Sequence, residues 1–135
     1  MREILFRGRT KNGKWCYGDY VHAIRFNGVR GFHKDWIIPG VYGNGGWISV
    51  RGRDAVDGDT VGQYTGLMDK NGVKIFEGDI VRIGCANYPV IFTTLGGCAG
   101  FALKDDVPFG FDYINVPMEV VGNIHDNPKL LEECL

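Results

Sequence analysis

The sequence predicts a mainly β protein: a small barrel, or a pair of SH3-like barrels, built from hairpins and ending in a short C-terminal helix. Three observations carry that prediction. The 135 residues include 21 Gly, eight Phe, six Tyr and three Trp, a composition of turns and aromatic strands more than of helices. Apolar residues recur at period two in one segment after another, the spacing of a half-buried strand. Asn-Gly stands between such segments at Asn12-Gly13, Asn27-Gly28 and Asn71-Gly72. Gly takes positive φ without a Cβ penalty, and Asn tolerates the left-handed region, so each pair suits a hairpin turn.

In chain order, Glu3 to Arg9 reads as a strand with Ile4 and Phe6 on one face. Lys11-Asn12-Gly13 turns it into Trp15 and Tyr17 at period two, and Tyr20 to Phe26 forms a longer strand. Asn27-Gly28 reads as a two-residue loop leading into Val29 to His33. A loop of that length sets Arg25 across from Arg30, Ala23 across from Phe32 and His22 across from His33. Asp35 to Pro39 is a short apolar piece, and Gly40 to Gly46 is a glycine-rich connection before the strand-like Trp47-Ile48-Ser49-Val50. A phosphate loop would place its glycines between a strand and a helix N-terminus. This one reads as a hairpin connection, and no cofactor is expected. Arg51 to Asp59 is polar and turn-rich. It is the best internal boundary in what reads as a single domain 1–135, and divides it into candidate β subdomains at about 1–55 and 56–135.

The stretch from Val61 to Ile83 has the clearest internal logic. Val61, Gln63 and Thr65 lie on one face of a strand, with Gly62, Tyr64 and Gly66 on the other. Asn71-Gly72 is expected to fill both positive-φ positions of a type I′ turn. Lys74-Ile75-Phe76 follows, then Glu77-Gly78-Asp79 as a tight turn, then Ile80 to Ile83 as a strand. Further on, Tyr88 to Leu95 and Ala99 to Lys104 read as strands joined at Gly96-Gly97. Val116 to Ile124 closes the β region, with Met118, Val120 and Ile124 on one face. Asn127 as N-cap and Pro128 at the first helical position start a helix of about two turns, with Leu130/Cys134 and Leu131/Leu135 as apolar pairs.

An internal echo links the two halves. Lys11-Asn12-Gly13 followed by Gly18-Asp19-Tyr20-Val21 mirrors Lys70-Asn71-Gly72 followed by Gly78-Asp79-Ile80-Val81, with one residue fewer. Two copies are too few for a solenoid and predict two hairpins of the same kind.

The run Thr60-Val61-Gly62-Gln63-Tyr64-Thr65-Gly66-Leu67, then Asp69-Lys70-Asn71-Gly72, then Ile75-Phe76-Glu77-Gly78-Asp79-Ile80-Val81, resembles the YopX family of phage and prophage proteins. The closing run from Glu119 to Pro128 is similar to that family's ending, and Phe6-Arg7-Gly8-Arg9 with Trp15-Cys16-Tyr17-Gly18 fits a variant of its start. The resemblance implies a small, largely β, phage-encoded, cytoplasmic protein of unknown function. It carries over no functional residue.

The charge pattern bounds the functions to weigh. A net charge of −1 conceals ten Lys/Arg against six Asp/Glu over residues 1–60, and five against ten over residues 61–135. Such a split suits an anion-binding first half, or complementary faces that pair subunits head to tail. The opening residues, with Arg2, Glu3 and Arg7 and no apolar run, do not read as a signal peptide. No stretch approaches about 18 consecutive apolar residues, so no membrane partner is expected. Cys16, Cys85, Cys98 and Cys134 are scattered without a metal-ligand spacing and read as reduced thiols.

No catalytic set emerges. Asp19, Glu77, Asp79, Asp105 and Asp106 are the acids a metal-dependent hydrolase would draw on, but Gly-Asp at the matched position of both copies is explained by turn capping. The candidate anion- or partner-binding residues are Arg25, Arg30 and Phe32 on the Asn27-Gly28 hairpin. There, two facing guanidinium groups would call for a carboxylate or phosphate, and Phe32 could stack on a base. The expected function is a non-enzymatic, homo-oligomeric binding module whose partner is nucleic acid or an acidic protein. The alternatives are a metal-dependent enzyme with a carboxylate site and a nucleic-acid-binding accessory protein.

Overall fold

The computed structural model describes residues 2–27, 30–39, 42–44, 47–49, 54–94, 99–104 and 117–132. Among the described residues, eleven strands run in chain order: β1 (Phe6–Arg9), β2 (Trp15–Asn27), β3 (Arg30–Ile38), β4 (Tyr42–Asn44), β5 (Trp47–Ser49), β6 (Asp54–Met68), β7 (Lys74–Phe76), β8 (Asp79–Ile83), β9 (Ala86–Thr93), β10 (Gly100–Leu103) and β11 (Glu119–Asn123). The pairings between them are antiparallel. The mainly β class follows the sequence pattern. The expected helix is a 3-10 helix over Pro128–Glu132.

The chain divides into two compact units, Glu3–Gln63 and Tyr64–Leu135, with Arg2 belonging to the second. The division falls inside β6. That strand meets three partners in succession: β3 through Asp54–Val56, β1 through Asp57–Gln63, and β7 through Tyr64–Met68. The stretch from Asp54 to Asp59 was expected to be turn-rich and is instead extended. Its residue types are poor strand formers, but the ladder donors and acceptors of β1 and β3 lie opposite them, and pairing outweighs propensity.

In the first unit, β1, β2, β3 and the start of β6 follow one another, and β6 pairs back onto β1, which bends the sheet into a barrel-like ring. Cys16, Ile37 and Ile38 are its buried apolar side chains among the described residues, and the rings of Phe6 and Tyr20 stand 5.7 Å apart. The glycine-rich segment holds a short hairpin of its own, with Tyr42 opposite Ser49 and Asn44 opposite Trp47.

In the second unit the strand order is β10-β9-β8-β11. Its core is Ile75, Val81 and Val90, covered by Tyr88, Leu103, Met118 and Val120. Met118 and Val120 face this core as the alternation predicts, but Ile124 is exposed. A register shift between Val120 and Gly122 breaks the period of two, as a bulge does. The 3-10 helix is tied to β9 by the Asn87 Nδ2 donor to Leu130 O at 2.8 Å. Asn127 does not cap the helix with its side chain. Its Oδ1 accepts the Asn123 N–H at 3.3 Å, and its carbonyl accepts the Leu130 N–H at 3.1 Å.

Gly122 makes room for that arrangement. A Cβ there would lie 2.6 Å from Asn127 Oδ1 and 2.8 Å from Leu130 Cδ1. Both atoms end side chains that can yield in part, so Gly122→Ala is expected to cost about 1–3 kcal/mol, the range of overpacking. Urea unfolding of the variant checks this, and a midpoint equal to that of the parent would contradict the close approach.

The two Lys-Asn-Gly segments form the same turn. Thr10 N donates to Lys14 O at 2.8 Å and Gly13 N to Thr10 O at 2.9 Å; Asp69 N donates to Val73 O at 2.8 Å and Gly72 N to Asp69 O at 3.0 Å. Gly13 and Gly72 have φ of 87° and 80°, and no described residue other than glycine has positive φ. These are three-residue loops with glycine alone in the left-handed position, not the type I′ turns expected of Asn-Gly. The echo stops there. Asp79 is buried and accepts the Phe76 N–H at 2.7 Å, capping its turn, while Asp19 is exposed inside β2.

Candidate functional site

The hairpin of β2 and β3 differs from the expected register. Asn27 pairs with Arg30, where a two-residue Asn27-Gly28 loop would have paired Phe26 with Val29. Arg25 then lies opposite Phe32, not Arg30, and His22 opposite Asp35, not His33. Sliding the turn by one residue moves every cross-strand partner by two. The facing pair of arginines is therefore absent from this ladder, and the side chains of Arg25, Arg30 and Phe32 lie outside the described residues.

The register creates a polar cluster instead. Asp35 Oδ1 accepts the Tyr20 hydroxyl at 2.5 Å and stands 2.7 Å from His22 Nδ1. Gly58 backs the carboxylate, since a Cβ there would lie 2.4 Å from Asp35 Oδ2. Burial, the hydrogen bond to Asp35 and its negative charge push the Tyr20 phenol up to about 12. Tyr20 is thus a fixed donor at neutral pH and not a base or nucleophile. The cluster fastens β2 to β3.

A concave site lies beside it. A cleft of about 520 Å³ is lined by Arg9, Thr10, Lys11, Gly13, Lys34, Ala55, Val56 and Asp57. Strands β1, β3 and β6 and the turn after β1 build it. Arg9 ends β1, directly opposite Asp57 of β6. Lys11 and Gly13 come from the Thr10–Lys14 turn, whose hydroxyl Thr10 Oγ1 accepts the Lys14 N–H at 3.1 Å. Lys34 precedes the Asp35 cluster on β3, with its Nζ 5.7 Å from the ring centre of Trp36. Asp57 is the one acid among the described residues of the wall, and its Oδ1 accepts the Asp59 N–H at 3.1 Å. Among the described residues, three cationic side chains against one carboxylate give the cleft a net positive charge.

An aromatic face adjoins the cleft. Arg9 pairs with Trp15 and Arg7 with Tyr17, so these four side chains share one face of the β1–β2 hairpin. The guanidinium carbons of Arg7 and Arg9 lie 4.7 Å and 6.0 Å from the Trp15 ring centre, within reach of cation–π attraction.

The other candidates are dispersed. Asp19 belongs to the first unit, and Glu77 and Asp79 to the second. Burial raises the Glu77 carboxyl above its ordinary value. Among the described residues, no three His, Cys, Asp or Glu side chains are grouped as a metal set. Cys16 is buried and Cys85 exposed; Cys98, Cys134, Asp105 and Asp106 lie outside the described residues. No helix of the described residues is long and apolar enough to cross a membrane.

Fold and site together define a two-unit antiparallel β protein with a basic cleft in its first unit. The chain belongs to the YopX family, whose model, described as YopX protein, matches residues 6–132. Among solved structures, the crystal structure of protein EF1440 from Enterococcus faecalis is similar, with a TM-score of 0.61 at 25% identity over 97% of this chain and 99% of that one. None of the curated proteins compared matches this chain.

Proposed function

We propose that this chain is a non-enzymatic binding module of phage or prophage origin, cytoplasmic and homo-oligomeric, whose first unit takes a polyanion in the basic cleft. The observation that carries this reading is the convergence of Arg9, Lys11 and Lys34 on one concave site. Membership of the YopX family supports the phage origin. The charge split follows the structural units: residues of the first sum to +3 and those of the second to −4. Opposite net charges on the two units support head-to-tail association of copies, a heterologous contact that closes into rings or runs on as filaments.

Retention on immobilised heparin tests the cleft. Lys11 and Lys34 are exposed, so charge reversal at both is tolerated by the fold. Lys11→Glu with Lys34→Glu is expected to elute at clearly lower salt than the parent, because each lost phosphate or sulfate contact removes counterion release. Equal elution of parent and variant would reject the cleft as the site. Light scattering that returned a monomer at high micromolar concentration would remove the oligomeric half of the proposal.

A further inference from the structure

We propose that the polyanion is single-stranded nucleic acid, with its phosphates along Arg9, Lys11 and Lys34 and a base stacked on Tyr17 beside the Arg-covered Trp15. The inference rests on the polyanion reading of the cleft and adds the aromatic face to it. Arg9 belongs to both surfaces: it lines the cleft and sits directly opposite Trp15 on the β1–β2 ladder. A ligand seated at Arg9 therefore meets the aromatic face without leaving the cleft wall.

The aromatic side chains separate the classes of polyanion. Tyr17 is 47% exposed and stands directly opposite Arg7, whose guanidinium is buried against Trp15. This sets an accessible phenol ring next to a cationic, partly covered indole. Such a surface suits a planar, electron-rich group with a phosphate close by. Every base of a single strand offers a π-face to such a platform, so recognition is tolerant of sequence. A duplex keeps its bases stacked on one another and presents only phosphates. An acidic polypeptide brings carboxylates but no planar base. The cationic cleft alone would serve all three; cleft and platform together favour the single strand.

Charge sets the expected salt dependence. Three phosphate contacts on a single strand give a slope of log Kobs against log salt of about −2.

The experiment uses the full chain and fluorescein-labelled oligothymidylate, read by anisotropy, with a duplex of equal length, heparin and polyglutamate as competitors. The expected result is single-strand binding at least tenfold tighter than duplex binding, a salt slope near −2, and quenching of tryptophan emission on binding. Tyr17→Ala is expected to weaken oligothymidylate binding about tenfold and to leave heparin retention unchanged, while Tyr17→Phe binds as the parent does. If Tyr17→Ala lowers the melting temperature, Tyr17→Leu, which keeps the bulk but not the π-face, and Lys11→Gln, at an exposed turn residue, still report stacking and phosphate contact separately. Single strand, duplex and heparin bound alike, with no effect of Tyr17→Ala, would overturn the inference and leave the polyanion reading intact. Polyglutamate competing as well as oligothymidylate at matched charge would overturn it in favour of an acidic protein. No binding to any of the four would remove both readings.

Discussion

Gly18→Ala is expected to unfold the first unit, or to cost it roughly 3 kcal/mol or more, the upper range of single substitutions. Gly18 lies on β2 opposite Phe6, next to the Asp19–Ile38 pair. A Cβ there would stand 2.0 Å from the Ile38 carbonyl oxygen, 2.6 Å from its carbonyl carbon and 2.8 Å from Pro39 Cα. All three are backbone atoms, so no rotamer change relieves the overlap. The β2–β3 ladder must open around Ile38, which is buried at 5% exposure. Gly13→Ala is the control. Its Cβ meets nothing within 4 Å, and only the φ of 87° resists it, at about 1–2 kcal/mol. Urea unfolding followed by tryptophan fluorescence measures both. A Gly18→Ala midpoint no lower than that of Gly13→Ala would show that β2 and β3 do not approach so closely.

Asp69→Ala is expected to cost the second unit about 2–4 kcal/mol, the cost of deserting three part-buried donors that a charged acceptor had satisfied. Asp69 is buried at the foot of the β6–β7 turn. Its Oδ1 accepts the N–H groups of Asn71 at 2.8 Å and Val73 at 2.9 Å, and its Oδ2 accepts that of Val120 at 3.0 Å. One carboxylate thus closes the turn and fastens β11 to it. Burial alone would push the Asp69 carboxyl up. The donors of Val120, Val73 and Asn71, with Lys70 nearby, outweigh burial and hold it below its ordinary 3.8. A depressed folded value means that the stabilisation is complete above 3.8 and is lost as pH falls through the folded value. The parent should therefore lose stability below about pH 4, and Asp69→Ala should lose less over the same window. Equal acid sensitivity in the two proteins, measured by denaturant unfolding across that range, would refute the assignment. At the matched place in the first unit Thr10 closes the same turn with a single hydroxyl acceptor for Lys14 N–H, so Thr10→Ala is a mild counterpart.

Turn chemistry was the most legible part of the chain. The likeness of the two Lys-Asn-Gly segments appears in the sequence and returns as matching hydrogen bonds. Which glycine or asparagine takes positive φ was not legible, because loop length is decided by the strands on either side. At Asn27 the same ambiguity had larger consequences: one residue of slide replaced Arg25–Arg30 by Arg25–Phe32 and brought His22 to Asp35. Asp54 to Asp59 gave no strand signal of its own, since its partners β1 and β3 lie far away in sequence.

The cleft was legible only as a surplus of positive charge in the first half. Arg9, Lys11, Lys34 and Asp57 are spread across the sequence, and nothing local joins them. The pairing of Arg9 with Asp57 and Trp15, and of Asp35 with Val56, makes them neighbours. The Trp15 and Tyr17 alternation was visible. That Arg7 and Arg9 lie across from it depended on the turn closing with Thr10 opposite Lys14.

The return of β6 onto β1 also bears on how the nascent chain folds. Arg9 N donates to Thr60 Oγ1 at 2.8 Å across a separation of 51 residues. At about 5–20 residues per second of synthesis, β1 emerges several seconds before that partner. During the interval β2 covers one edge of β1, and the other presents open backbone donors and acceptors, the kind of edge that recruits a neighbouring chain. Arg7 and Arg9 on β1 and the Lys11 and Lys14 pair on its turn place four positive charges beside that waiting edge, and like charges oppose its pairing with the same edge of another copy.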